Sequence, residues 1–90
     1  VASFADRGDE GAKGAEMDNV QTAMDIYMVD IGSATVTAHQ GSITAATNDF
    51  SSSGTVDLST YLRKDTTAYY YCWDGAGLIN EQNDDGSNCA

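Results

Sequence analysis

Basic residues are scarce in this chain. Arg7, Lys13, Arg63 and Lys64 face 14 acidic side chains, giving a formal net charge of -10 over 90 residues. Such a surface repels phosphate backbones and anionic headgroups, which argues against nucleic acid as a partner of the isolated domain. Proline is missing altogether, and histidine and tryptophan occur once each. No apolar run is long enough to span a bilayer, and no initiator methionine or signal peptide is visible, so the expectation is of a processed or trimmed chain. Neither C-x-x-C nor a Cys/His cluster occurs, which leaves thiol redox chemistry and zinc without support. His39 has Ser33 and Ser42 near it, yet no nucleophile elbow frames either serine, and the expectation is that the protein is not an enzyme.

What is present suits one small domain. Hydrophobic residues make up 41% and charged ones 20%, enough apolar material for a core and too little charge for a disordered chain. At this length a single core is only marginally stabilising. The two cysteines, Cys72 and Cys89, allow two readings. An even count in a short acidic chain favours a disulfide formed in an oxidising compartment, which would add about 3 kcal/mol on the chain-entropy model. The other reading is a pair of unlinked buried thiols.

The strongest pattern lies in the first third. Met17, Val20, Met24, Tyr27, Met28 and Ile31 recur at the spacing of one helical face, while Asp18, Gln21, Thr22, Asp25 and Val29 fall mostly on the other side. Residues 1–31 therefore read as one helix ending at Gly32, which accepts the left-handed conformation of a C-cap. Gly8, Gly11 and Gly14 within it each cost about 1 kcal/mol relative to alanine, so this front either frays or admits another helix at close range. Residues 32–56 read as a loop region rich in Ser, Thr, Ala and Gly, with weak strand signals at 34–38 and 42–44 and an apolar anchor at Phe50. Asp57 is a candidate N-cap for a short helix over 57–63, with Leu58, Tyr61 and Leu62 on one face. Thr66 to Trp73 is rich in β-branched and aromatic residues and predicts a hairpin over 66–80 turning at Asp74-Gly75-Ala76-Gly77. Alternation puts Tyr70 and Cys72 on one face and Tyr69, Tyr71 and Trp73 on the other. Tyr70 and Cys72 are expected to lean on the helix, leaving part of the second face exposed as an aromatic strip. Residues 81–90 read as a polar C-terminal loop. The fold class is thus α+β: a long N-terminal helix on a small antiparallel sheet.

With those elements placed, the chain resembles a type IV pilin, and most closely the compact pilins of Chloroflexi-type bacteria. The resemblance runs through Val1-Ala2-Ser3-Phe4, Ala15-Glu16-Met17-Asp18-Asn19-Val20-Gln21-Thr22-Ala23-Met24-Asp25, Thr47-Asn48-Asp49-Phe50, Tyr61-Leu62-Arg63 and Trp73-Asp74-Gly75-Ala76-Gly77-Leu78-Ile79. It implies a pilin-like headgroup whose hydrophobic membrane-anchoring helix is cut off or supplied by a separate peptide. It also implies a C-terminal loop closed by a Cys72–Cys89 disulfide. Function on this reading is structural: an extracellular, cell-surface filament subunit, monomeric in isolation, whose partners are other pilin subunits. Phe4, Ala5, Gly8 and Ala12 are the inter-subunit candidates of its helical front. The alternatives are a type II secretion pseudopilin stabilised by calcium, or a minor pilin or adhesin that binds through the aromatic strip or the 33–53 loop. Asn83, Asp84, Asp85 and Asn88 are the calcium candidates; Glu81, Asn83, Asp85 and Gly86 echo the start of a calcium loop but lack the twelfth-position glutamate. Ser51-Ser52-Ser53 is a candidate acceptor of O-linked sugar.

Overall fold

The computed structural model describes the backbone of residues 4–90 and the side chains of residues 12–90. One helix, α1 (Phe4–Ile31), is followed by strands β1 (Thr47–Asp49), β2 (Thr66–Trp73) and β3 (Ile79–Asn83). The strands form one antiparallel sheet in the order β1-β2-β3, so β2, the most aromatic segment, is central. The α+β class read from the sequence is the class observed.

α1 ends as its sequence dictates. Gly32 has φ of 66°, its N–H donates to Val29 O, and Ser33 N–H donates to Met28 O. Those paired bonds satisfy carbonyls that the last turn would otherwise leave open. Gly14 lies inside the helix with open space where a Cβ would point, so its small size is not required by packing among the described residues.

The core lies between α1 and one face of the sheet. Val20, Ala23 and Met24 from the helix meet Tyr71 and Trp73 from β2, Ile79 from β3, and Phe50, Val56 and Leu58 from the connections. Phe50, the expected anchor, is fully buried and its ring lies 5.6 Å from that of Trp73 and 6.1 Å from that of Tyr71. Met17, Tyr27 and Met28 pack against the same cluster. Ile31 shares their stripe but is 51% exposed, at the last residue of α1. A second, smaller cluster lies on the other side of β2, where Ala46, Cys72 and Cys89 are buried and Tyr70 packs on them.

Several expectations are corrected here. The alternation along β2 is right, but its orientation is reversed: Tyr71 and Trp73 face the helix, while Tyr70 and Cys72 face away. Residues 34–38 and 42–44 are not strands; His39 pairs with Trp73 and Ala45 with Asn88 as single bridges. Thr47–Asp49, placed in the loop region, forms the edge strand instead. The 57–63 helix reduces to one turn closed by Tyr61 N–H and Leu62 N–H donating to Leu58 O. Asp57 caps only that turn, accepting the Ser59 N–H at 3.0 Å and its hydroxyl at 2.6 Å. A segment this short cannot offset helix nucleation, and its apolar residues are buried as a turn instead. The hairpin return begins at Ile79 and continues beyond the expected residue 80 to Asn83, so part of the expected C-terminal loop is strand.

Candidate functional site

Two polar side chains of α1, Glu16 and Gln21, hold the helix to the sheet, and the first of them lines a groove beside it. β2 slips register against β1 between the pairs Thr47–Tyr71 and Asp49–Thr66, which leaves a bulge in β2. The amides of a bulge lose their ladder partners. Glu16 supplies the partner: Ala68 N–H donates to its Oε2 at 3.0 Å and Tyr69 N–H to its Oε1 at 2.9 Å. The Tyr71 hydroxyl also donates to Oε1, at 2.8 Å, and accepts from Gln82 Nε2 at 2.9 Å. Burial pushes the Tyr71 phenol well above its ordinary pKa; the Gln82 bond opposes this and the Glu16 carboxylate adds to it.

Gln21 does the same for the hairpin. Its Nε2 donates to Gly77 O and its Oε1 accepts from Ile79 N–H, both at 2.8 Å, so one side-chain amide stands in for a neighbouring strand. Gly77 has φ of 82°, and a Cβ there would overlap the Met28 sulfur, which lets the hairpin turn lie directly on α1. The sequence reading set Gln21 on the outward face. The missed signal was geometric: four residues after Met17 and three before Met24, it borders the apolar stripe. Glu16, four residues before Val20, borders the stripe in the same way, but its partners are backbone amides of a bulge that no pattern announces.

Beside Glu16 a groove of about 930 Å³ runs between α1 and residues 61–68. Val20, Ala23 and Ile26 form one wall, and Leu62, Arg63 and Lys64 contribute to the other. Ile26 is 44% exposed there. Arg63 and Lys64 are exposed, and neither has an ion-pair partner among the described residues. At one end the Tyr61 hydroxyl donates to Asp30 Oδ2, closing residues 61–62 onto the helix; this bond, with burial and the Asp30 charge, raises the Tyr61 pKa.

The other sequence candidates fall elsewhere. Cys72 and Cys89 form a disulfide, with Cα atoms 6.2 Å apart, which ties the C-terminal segment behind β2. Cys89 N–H donates to Thr44 O and Ala46 N–H to Ser87 O, so the tail is also bonded along the 44–46 segment. The calcium candidates do not converge. Asn83 donates to Glu81, Asp84 pairs with Lys13 at 2.8 Å, and Asn88 donates to Ser42 O. Asp85 accepts the Ser87 hydroxyl and N–H, and both bonds hold its carboxyl below the usual range. Among the described residues no three His, Cys, Asp or Glu side chains group as metal ligands.

The aromatic strip is largely core, with Tyr71 and Trp73 fully buried and Tyr69 and Tyr70 half-buried. Lys13 Nζ lies 5.4 Å from the centre of the Tyr69 ring. His39 is not a solvated loop residue. It stacks on Trp73 at 5.0 Å, and its Nε2 lies 2.6 Å from Ala45 O. A carbonyl only accepts, so Nε2 carries the proton; in the neutral ring Nδ1 then accepts from the Thr55 hydroxyl at 3.2 Å. Both nitrogens thus serve the loop scaffold. Of the inter-subunit candidates, Ala12 is exposed, while the side chains of Phe4, Ala5 and Gly8 lie outside the described residues. Ser51 donates to Asp49, and Ser52 and Ser53 are exposed.

No family model matches this chain, and neither does any curated protein or solved structure.

Proposed function

We propose that this chain is the headgroup of a structural subunit in a type IV pilus-like extracellular filament. The observation that carries the reading is the arrangement of α1. Its 28 residues extend about 42 Å at 1.5 Å per residue, against a longest molecular dimension of 44 Å. Its described contacts with the sheet begin at Lys13, whose carbonyl accepts from Gln82, while the helical backbone runs on to Phe4. A helix clamped to a sheet from Lys13 onward, with its helical backbone running on N-terminally to Phe4, suits a subunit whose helical front packs with other copies. The resemblance at Asn19-Val20-Gln21-Thr22-Ala23 and the disulfide-tied C-terminal segment support the same reading. Among the described residues no helix is long and apolar enough to cross a membrane, so membrane attachment of the subunit would depend on a hydrophobic segment supplied outside them.

Immunogold labelling with antibodies raised against this domain tests the proposal. Gold is expected along extracellular filaments, and deletion of the gene is expected to remove them. Gold confined to the cell interior, or filaments that persist after the deletion, would refute it.

A further inference from the structure

The groove beside α1 has a complement elsewhere on the same molecule. The turn at residues 41–44, closed by Thr44 N–H donating to Gly41 O, presents Ile43 at 93% exposure, the most exposed large apolar side chain among the described residues. That turn is held against the acidic 84–88 loop: Asn88 Nδ2 donates to Ser42 O at 2.9 Å, and Cys89 N–H donates to Thr44 O. Residues 84–88 are exposed throughout and include Asp84 and Asp85. The loop that holds the knob therefore carries one carboxylate outside an ion pair among the described residues, that of Asp85, since Asp84 pairs with Lys13. The groove offers the converse, with Ile26 and Leu62 beside Arg63 and Lys64, two of the four cations of a chain with 14 acids.

Knob and groove cannot meet within one chain. The 44–46 and 87–89 segments adjoin the Cys72–Cys89 cluster on the far side of β2, whereas the groove flanks α1 on the near side. We propose that the groove of one copy receives Ile43 and the 84–88 loop of a second copy. The two surfaces differ, so the contact is heterologous, and repetition generates an open chain of subunits, not a closed pair. The inference rests on the filament reading for its setting, since a filament needs a repeating contact, but it is measured independently. Seating one side chain and a short loop is a weak interaction, and the isolated domain stays monomeric at low concentration.

Sedimentation equilibrium in low salt tests the contact with two variants, Ile43→Asp and the Arg63→Glu/Lys64→Glu pair. All three positions are exposed, and an unchanged near-ultraviolet signal from Trp73 would verify that each variant is folded. The wild-type average mass is expected to rise above the monomer as protein approaches about 1 mM, and to rise less in high salt. Each variant alone is expected to remain monomeric. Their equimolar mixture is expected to rise above the monomer mass and, with increasing concentration, to approach but never exceed twice that mass, because the knob variant keeps its groove and the groove variant keeps its knob. A monomeric wild type at that concentration, variants that associate like wild type, or a mixture that stays monomeric would each overturn the proposal. A failed immunogold experiment with a successful mixing experiment would remove the filament and leave the contact; the reverse would leave the filament and remove this contact.

Discussion

The two faces of β2 are stabilised in different ways. On the helix side, Trp73, Tyr71, Phe50 and Met24 are fully buried and in mutual contact through one cluster, so apolar area holds that half together. On the other side the buried residues are Ala46, Cys72 and Cys89, too small to bury much surface, and a covalent bond does the corresponding work. The side with the large residues needs a neighbouring helix to cover it. The side with the small ones needs only its own tail brought back, which a disulfide achieves by restricting the unfolded chain. A domain of this size has too little core to cover both faces of its sheet with apolar packing.

Removing the largest core residue should break the comparison on the helix side. Trp73→Ala deletes the indole that stacks on His39 and packs near Phe50, and it leaves Thr37 O without the indole N–H that donates at 2.9 Å. A loss of about 3–5 kcal/mol is expected, enough to abolish the cooperative urea transition of so small a domain. A cooperative transition at wild-type denaturant concentration would mean that this cluster is not the main source of stability.

Reduction of the disulfide acts on the opposite side and should cost about 3 kcal/mol. Hydrogen exchange measured with and without reductant separates the two faces. Amides of Ala46 and Cys89, which bond between the 44–46 segment and the tail, are expected to lose protection first. Those of Ile79 and Tyr69, held by Gln21 and Glu16, should keep more of theirs. Equal loss at all four would show that the two halves unfold as one unit.

Glu16→Ala sharpens the comparison within the helix side, because it leaves the apolar cluster intact and removes only the acceptor of three hydrogen bonds. About 2 kcal/mol of destabilisation is expected by chemical denaturation, since the Tyr69 amide and the Tyr71 phenol lose their partner in partly buried positions and the Ala68 amide loses its own at the surface. An unchanged midpoint would imply that water replaces the carboxylate at no cost.

The smallest effect is that of acid. Asp49, Asp57 and Asp85 each have a carboxyl pKa lowered by a serine hydroxyl and, after it, the same serine's backbone N–H. A depressed native pKa adds stability above the unfolded value, near 3.8, and that contribution is lost as pH falls through the native value. Thermal melting should therefore decline below about pH 4, and Asp85→Asn should flatten the decline slightly. A melting temperature constant down to about pH 2 would contradict these bonds.

Parts of this architecture were legible in the residues themselves. The Met17–Val20–Met24 stripe, the Gly32 stop and the β-rich run to Trp73 are local patterns, and local patterns survive in the fold. Thr47–Asp49 was not legible, because three residues are too few to show a period of two. The groove was not legible either, since Ile26 and Leu62 are far apart in sequence and only the packing of the 61–68 segment on α1 brings them to one place.

By itself the sequence determined the α+β class, the helix with its C-cap, the aromatic strand and the partition of its side chains into two sets. Backbone geometry enforces these within a few residues. Only the tertiary structure decided which set meets the helix. Period-two alternation is symmetric between faces, and the choice was made by where α1 and Cys89 lie relative to β2. It likewise decided that Glu16 and Gln21 are clamps and not surface residues. Their partners are backbone groups of a bulge and a hairpin turn far along the chain, 52 residues away for the Glu16–Ala68 bond and 58 for the Gln21–Ile79 bond.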